Sequence, residues 1–425
     1  MTTSEMFTDF LNNLAIDNGA SITSRYEEIT YALNKKFRET ESKTANSLRV
    51  GSYGRWTGIR GISDLDMLYI MPASKWNEYK DGKQSKLLDD TRAAIKARYS
   101  TTEVKKDRLV VQVLYKNFTV EVQPVFEQED GSFKYPDTYD GGSWKITKPR
   151  DEIKAMKEFV DQKNKNLRKL CKMARAWKNK HGVGMGGLLI DTLAYNFLKS
   201  RDDYDNRSTA FYDWMCRDFF LYLSEEPHKD YYLALGSNQR VRVKSKFQRK
   251  AKIAHELSRD AIAAGENASA NKKWKKVFGR PFPAALQAEA RAAKTYQDTE
   301  QFIEDLYPID IRFNLKLECE VSQDGFRVDL LRTMLFKQLK LSPKKQLNFY
   351  VDEINVPGEF ILKWKVLNRG PEAERRDCIR GDIVIDKGFR KKQEKTDFAG
   401  EHIVECYAIL NGVVVAKDRI HVPIQ

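Results

Sequence analysis

Val50-Gly51-Ser52-Tyr53-Gly54-Arg55, followed after a short spacer by Ser63-Asp64-Leu65-Asp66-Met67-Leu68-Tyr69-Ile70, is the stretch from which the fold is read. Gly51 and Gly54 bracket a small hydroxyl residue, so the backbone there can approach a ligand closely. Arg55 and Arg60 place positive charge beside that loop. The run from Asp64 to Ile70 is apolar apart from its acids and tyrosine and suits a buried strand. Residues two apart on a strand share a face, so Asp64 and Asp66 point the same way. Two carboxylates side by side repel unless a cation sits between them. Mg²⁺ favours carboxylates together with phosphate oxygens over an all-protein cage. A Gly-Ser turn ahead of Asp-x-Asp therefore reads as a site for a metal-bound triphosphate. A solvated edge strand is what an Asp-x-Asp standing alone usually means. Here the turn upstream and the apolar strand downstream favour the site.

Upstream, Ile22, Tyr26, Ile29, Leu33 and Phe37 recur at helical spacing. They predict an amphipathic helix, capped by Ser21 or Asn18, that delivers the chain into the Gly51-Ser52 turn. Downstream, residues 87–99 predict a second helix. Two β-rich runs, 109–115 and 118–126, are joined by Lys116-Asn117 and predict a hairpin. In its second strand Phe118, Val120 and Val122 face one side, and Thr119, Glu121 and Gln123 the other. Pro124 is expected to end central pairing. If this strand lies beside that of Asp64, Glu121 joins the two aspartates. A solvent-facing glutamate is the alternative that periodicity leaves open.

Asp130-Gly131-Ser132 and Asp140-Gly141-Gly142 read as turns. From Pro149 the texture is helical. Leu167, Leu170, Met173 and Trp177 make one face, with Lys172, Arg175 and Lys178 as charge around it. Further helices are expected over 188–198, 211–223 and 247–264, with Lys272 to Lys276 as a solvated continuation of the last. Residues 284–300 read as a helix or linker. From about Tyr307 alternation of period two dominates to the C-terminus, as in Ile311 to Cys319, 360–366 and 413–416, which suggests a β-sandwich.

The 425 residues allow two or three domains. A formal net charge of +14 and a pI near 9.3 suit an anionic partner: nucleotides, nucleic acid or a membrane surface. Much of that excess merely solubilises the surface. The five cysteines are scattered, without a Cys-x-x-Cys pair, so neither a zinc site nor a disulfide framework is indicated, and a reducing compartment fits. With no signal-peptide pattern and no membrane span in the sequence, a cytoplasmic location is expected.

At Gly51-Ser52, Asp64-x-Asp66 and Glu121-Val122-Gln123-Pro124 the chain resembles the nucleotidyltransferase superfamily. Within it, the chain looks like the bacterial CD-NTases, relatives of cyclic GMP-AMP synthase and the oligoadenylate synthases. The chain departs from the family pattern in having Glu121 where Asp is commoner. Ala174-Arg175-Ala176-Trp177 puts Arg175 where the family carries a basic residue, usually lysine, two before a tryptophan. Trp364 to Ala373, Ile379-Arg380-Gly381 and Gly400 to Cys406 resemble the adenylyl/guanylyl and SMODS C-terminal sensor domain. His402 within that match reads as a structural histidine.

The resemblance implies an α+β chain: a polymerase-beta-like palm with its N-terminal helix over 1–160, a helical lobe over 161–285, a linker over 286–305 and a β-rich sensor domain over 306–425. It also implies that Asp64, Asp66 and Glu121 bind Mg²⁺, with Mn²⁺ as the alternative. Gly51 and Ser52 would cradle phosphates, and Arg175 or Lys178 would offset their charge. The implied substrates are nucleoside triphosphates and the implied product a cyclic di- or trinucleotide made in anti-phage defence. A downstream effector would read that product, and a nucleotide or nucleic-acid ligand would bind the C-terminal domain. Synthesis of linear RNA or DNA oligonucleotides, and transfer of one nucleotide to a protein or small molecule, remain open as the same reaction with another acceptor. A non-catalytic nucleotide or nucleic-acid binder is the reading from a different class.

Overall fold

The structure, a computed structural model, describes residues 1–61, 63–116, 118–163, 165–284, 300–322, 328–339, 341–368, 371–376 and 380–424. Most of the expected linker, together with Asn117, Arg369, Gly370, Cys378 and Ile379, lies outside the described residues. The chain forms two compact units, neither continuous in sequence. Residues 1–176, 187–243 and 251–283 make the first; residues 177–186, 244–250 and 284–425 make the second.

The first unit is built on a seven-stranded sheet of β1 (Ser47–Arg49), β2 (Asp64–Ile70), β3 (Glu103–Lys106), β4 (Val111–Leu114), β5 (Thr119–Glu127), β6 (Phe133–Asp137) and β7 (Ser143–Thr147). The order is β1-β2-β5-β4-β3, with β6 on β5 and β7 on β6. β2 and β5 run parallel, with Asp64 opposite Thr119 and Asp66 opposite Glu121. Leu65, Met67, Val120 and Val122 face away from those acids into a core shared with Ile22, Ile29 and Leu33 of α2 (Gly19–Arg38) and Leu87, Leu88 and Ile95 of a later helix. Each such side chain contributes roughly 1.5–3 kcal/mol on burial. A one-residue slip of β2 would bury both aspartates and expose Leu65 and Met67, so the register is strongly fixed.

Several expectations are corrected in detail. Asn18 stands at the N-cap of α2 but makes no side-chain capping bond. The Gly51-Ser52 turn is one turn of helix, α3 (Gly51–Gly54). The hairpin forms, with Gln112 opposite Glu121. Pro124 does not end β5: pairing with β2 continues to Val125. β4 stops at Val111 opposite Val122, so no partner on that side asks proline for the N–H it lacks.

The other helices of this unit's sequence are α4 (Trp76–Tyr79), α5 (Gln84–Arg98), α6 (Pro149–Gln162), α7 (Asn166–His181), α8 (Gly187–Lys199), α9 (Tyr212–Glu225), α10 (Gln248–Ala263) and α11 (Ala268–Phe278). The last turn of α7 and the first of α10 belong to the second unit. Strands β8 (Tyr231–Leu233) and β9 (Arg240–Arg242) form a small hairpin. Lys272 to Lys276 are not a solvated continuation of α10. Gly265, at φ +64°, breaks the chain, and α11 buries Ala270, Trp274, Val277 and Phe278 on one face between its lysines. The helix α1 (Thr3–Asn13) escaped the sequence reading. Its signature is a capping box, in which Thr2 and Glu5 satisfy each other's backbone N–H groups, ahead of buried Met6, Phe7 and Phe10.

The second unit opens with α12 (Ile303–Leu306) and contains β10 (Leu315–Ser322), β11 (Asp329–Leu330), α13 (Leu331–Phe336), β12 (Gln346–Ile354), β13 (Ile361–Leu367), α14 (Pro371–Arg375), β14 (Ile383–Ile385), β15 (Lys391–Lys395), β16 (Gly400–Leu410) and β17 (Val413–Ile424). Two antiparallel four-stranded sheets, β11-β10-β12-β15 and β14-β13-β16-β17, share one core. Leu317, Cys319 and Phe349 from one sheet meet Trp364, Cys406 and Val415 from the other. The expected sandwich is present. His402 is buried against the Phe398 ring, with Nε2 3.4 Å from the Phe398 carbonyl.

Candidate active site

Asp64, Asp66 and Glu121 converge on the polar face of the parallel β2–β5 pair. Each offers a carboxylate oxygen within 4.8 Å of those of the other two, and all three residues are half-buried. Sequence alone left Glu121 undecided between this site and solvent. Pairing of β2 with β5 in the register Asp66↔Glu121 supplies what was missing. Ser63 Oγ donates to Asp64 at 2.7 Å and Gln112 Nε2 to Glu121 at 3.2 Å, so neutral donors orient the acids.

The phosphate-loop candidate is physically joined to the acids. Val50 N–H donates to the Asp66 carbonyl at 2.9 Å. Gly51 adopts φ +62°, and a Cβ there would lie 1.7 Å from Asp66 Oδ2. Glycine is required twice over, by the left-handed backbone and by the carboxylate against its α-carbon. The loop closes on Ser52, whose carbonyl accepts from the N–H groups of Thr57 and Gly58.

Beneath the loop is a network that the sequence reading missed. Arg55 does not point toward a ligand. It is buried, and its Nε donates to Asp191 at 2.9 Å while Nη1 donates to Glu152 at 3.3 Å. Thr57 Oγ1 donates to the same Asp191 carboxylate at 3.0 Å. Arg175, 5 % exposed, donates to both Asp191 oxygens at 2.6 and 3.0 Å and to the carbonyls of Cys171 and Gly187. Asp191 is fully buried. Burial alone would raise its pKa, but Arg175 and Arg55 more than offset that and hold it down to about 2. For Glu152 burial prevails over Arg55, and its pKa is raised. No local signal links Arg55 to Asp191, 136 residues away, so the pairing becomes visible only in the fold.

Lys178 is likewise interior, at 2 % exposed. Within the second unit its Nζ donates to Asp310 at 2.6 Å and to the Ile311 carbonyl at 2.8 Å. Asp310, half-buried, is held well below the usual carboxylate range by Lys178 and Arg312. The structure thus brings Asp64, Asp66, Glu121 and Gly51 together. It sets Arg175 in the Asp191 network and Lys178 on Asp310. Two acids downstream of Glu121, Glu127 and Asp137, are engaged elsewhere: Glu127 with Arg150, and Asp137 with Arg108 and Lys145.

Three clustered carboxylates with no histidine or cysteine among them form an all-oxygen donor set for a hard divalent cation. Together with the Gly-Ser loop, this donor set is consistent with the catalytic metal site of a nucleotidyltransferase. Family models agree on both ends of the chain. Residues 1–159 match the Second Messenger Oligonucleotide or Dinucleotide Synthetase domain, and residues 297–425 match the Adenylyl/Guanylyl and SMODS C-terminal sensor domain. A probable cyclic nucleotide synthase of Bacillus cereus (strain VD146) is 20% identical over 274 residues, covering 55% of this chain and 81% of that one. CdnC of E. coli MS115-1, solved with ATP, shares the fold at a TM-score of 0.50 and 16% identity, over 66% of this chain and 99% of that one. The same protein in complex with HORMA-deltaN gives 0.51 and 15%, over 66% and 98%. The chain belongs to the CD-NTase family of nucleotidyltransferases. Among the described residues no helix is long and apolar enough to cross a membrane.

Proposed function

We propose that this chain joins nucleoside triphosphates without a template into a cyclic di- or trinucleotide second messenger, in the anti-phage context of its family. The observation that carries the reading is the acidic triad set against the α-carbon of Gly51. Mg²⁺, or Mn²⁺ in its place, is the cation proposed for Asp64, Asp66 and Glu121; bound there, it activates a ribose hydroxyl and offsets charge on the leaving pyrophosphate. The chain's own part is to hold the triphosphate. The backbone at Gly51 and the Ser52 hydroxyl approach the β- and γ-phosphates, while the acids fix the α-phosphate end. The hydroxyl loses its proton to solvent as its oxygen attacks the α-phosphorus and the bond to pyrophosphate breaks; one further step of the same kind closes a dinucleotide ring, and two close a trinucleotide ring.

Arg175 and Lys178 enter the proposal as buried charges. Arg175 positions the phosphate loop through Asp191, which also accepts from Arg55 and Thr57, because both of its terminal nitrogens already donate to protein oxygens. Lys178 enters only as a positive charge, its ammonium being engaged with Asp310. Arg175→Lys should raise the apparent KM for NTP several-fold with little change in kcat. A direct phosphate ligand would lose both.

A downstream effector that reads the product, and a nucleotide or nucleic-acid ligand of the C-terminal domain, complete the proposal. The test is incubation with each NTP and dNTP and Mg²⁺ or Mn²⁺, with products resolved by mass. A cyclic product supports the reading. Linear chains would place the enzyme among oligonucleotide polymerases, and absence of pyrophosphate with every nucleotide would reject it.

A further inference from the structure

The outer face of the sheet β14-β13-β16-β17 holds positive charges that the fold does not neutralise. Trp364, Cys406 and Ala408 point inward to the sandwich core, so Lys365, Glu405 and Tyr407 point outward. On β17 the matching outward residues are Lys417, opposite Tyr407, and Arg419, opposite Glu405. This face is covered rather than solvated: Lys417 is 8 % exposed and Lys365 is buried on Glu300.

Part of the cover is the segment 180–182 of the same unit. Gly182 adopts φ +61°, and a Cβ there would lie 2.3 Å from the Lys417 carbonyl oxygen and 3.1 Å from its Cγ. The Gly182 backbone therefore rests on the stem of Lys417. Lys250 donates its Nζ to the Gly182 carbonyl at 2.8 Å, and Lys180 stands two residues away. Among the described residues the side-chain nitrogens of Lys180, Lys417 and Arg419 have no hydrogen-bond or ion-pair partner. The neighbouring acids are Glu405, which accepts from Tyr407 Oη at 2.6 Å, Glu304 on the exposed side of α12, and, toward Lys250, Asp418, which accepts from Arg332. Cations outnumber the acids that face them.

Lys417 is buried and Lys180, Lys250 and Arg419 are half-buried, so like charges are held together where water screens them poorly. The lysines register that strain. Burial first, then repulsion from Lys417 and Arg419, pulls Lys180 down to about 8. Burial likewise lowers Lys417 and Lys250. A group of this kind in a native fold calls for an ion that the protein takes up.

We infer that Lys180, Lys250, Lys417 and Arg419 form a binding site for a small phosphate-bearing anion in the second unit. A single carboxylate presents two acceptor oxygens to four cationic side chains, whereas a di- or polyphosphate presents enough for all of them. The arginine fork can take two of them and each lysine one. The low exposure of Lys417 admits a small anion and excludes a duplex. The site is separate from the acidic triad, and the inference stands whether or not the chain makes a cyclic product.

The experiment uses the full chain at low salt in EDTA, which removes metal-dependent binding at the triad. Thermal midpoints are measured against inorganic tripolyphosphate and against ATP. Wild type should gain about 4 °C or more near saturation. The variant Lys180→Gln/Lys417→Gln should start no lower than wild type, because repulsion is relieved, and should need at least tenfold more anion for the same gain. Lys180→Gln alone, at a half-buried position, gives the same comparison if the double variant folds poorly. Asp64→Asn/Asp66→Asn should keep the full response. Equal gains with both probes identify the phosphate chain as what is recognised; a gain with ATP alone adds the nucleoside. The inference is overturned if wild type gains nothing at millimolar probe, if the lysine variants respond as wild type does, or if the aspartate variant loses the response.

Discussion

Two charged clusters in the first unit are built on opposite rules. At Asp64, Asp66 and Glu121, like charges converge, half-buried, on one face of a sheet. Around Asp191, unlike charges alternate: Glu152, Arg55, Asp191 and Arg175 in sequence, with Thr57 as a further donor. The alternating cluster satisfies itself and gives the loop above it a rigid floor. The convergent cluster has neutral donors in Ser63 and Gln112 and is arranged to gain from a cation. The sign of their neighbours separates the two kinds of acid in one fold.

The sharpest break in that comparison is to remove the convergent charge. Asp64→Asn/Asp66→Asn should abolish pyrophosphate release. In EDTA it should raise the melting temperature, since like charges no longer repel; turnover surviving in the double variant would end the metal-site reading. Asp191→Ala should do the reverse. It strands two buried guanidinium groups, and an urea titration should show a loss on the order of 3–5 kcal/mol. A loss under about 1 kcal/mol would mean that water reaches the network.

Glu121→Gln keeps shape but removes one convergent charge, and should lower kcat roughly 100-fold while the melting temperature holds. Glu121→Asp should stay within about tenfold of wild type. Equal activity of the Gln variant and wild type would place the third ligand elsewhere. Gly51→Ala tests the seam between loop and acids. The left-handed backbone costs about 1–2 kcal/mol, and the methyl group must push Asp66 aside, so activity should fall further than stability. An unchanged metal requirement and rate would show that Asp66 can yield freely.

The smallest effect is the acid limb. Asp191 is held at about 2 in the fold against an ordinary 3.8, so its contribution is present above about pH 4 and is lost as pH falls toward 2. Asp191→Asn should flatten that part of the stability profile. An identical acid limb in both proteins would assign it to other carboxylates.

The convergent cluster was largely legible in sequence, because its information is local. Asp-x-Asp on a strand and a period-two run through Glu121 state which face each acid takes, and only the pairing of β2 with β5 had to come from the fold. The alternating cluster was not legible. Arg55 read as a charge beside the loop and Arg175 as one near phosphate, because nothing near either residue announces a partner that lies across the unit. The same limit hid Trp274, a core residue flanked by four lysines, whose spacing with Ala270, Val277 and Phe278 is apolar although its composition is not. Charge dominated the reading where periodicity should have.

The N-terminal helix has a consequence for how the protein is born. Phe7 meets Trp274 edge-on at 5.2 Å and Phe282 at 5.5 Å, and the Asn13 side chain donates to the Pro281 carbonyl, 268 residues later. At ordinary translation rates that interval lasts roughly 15–50 s. For most of it the first helix must keep Met6, Phe7 and Phe10 uncovered or lent to a chaperone, with Tyr212 of α9 the first of its ring partners to arrive. The ribosome therefore releases a chain whose catalytic unit can close only near the end of its own synthesis, and a nascent fragment stopped before Trp274 should present its first helix to whatever apolar surface is nearest.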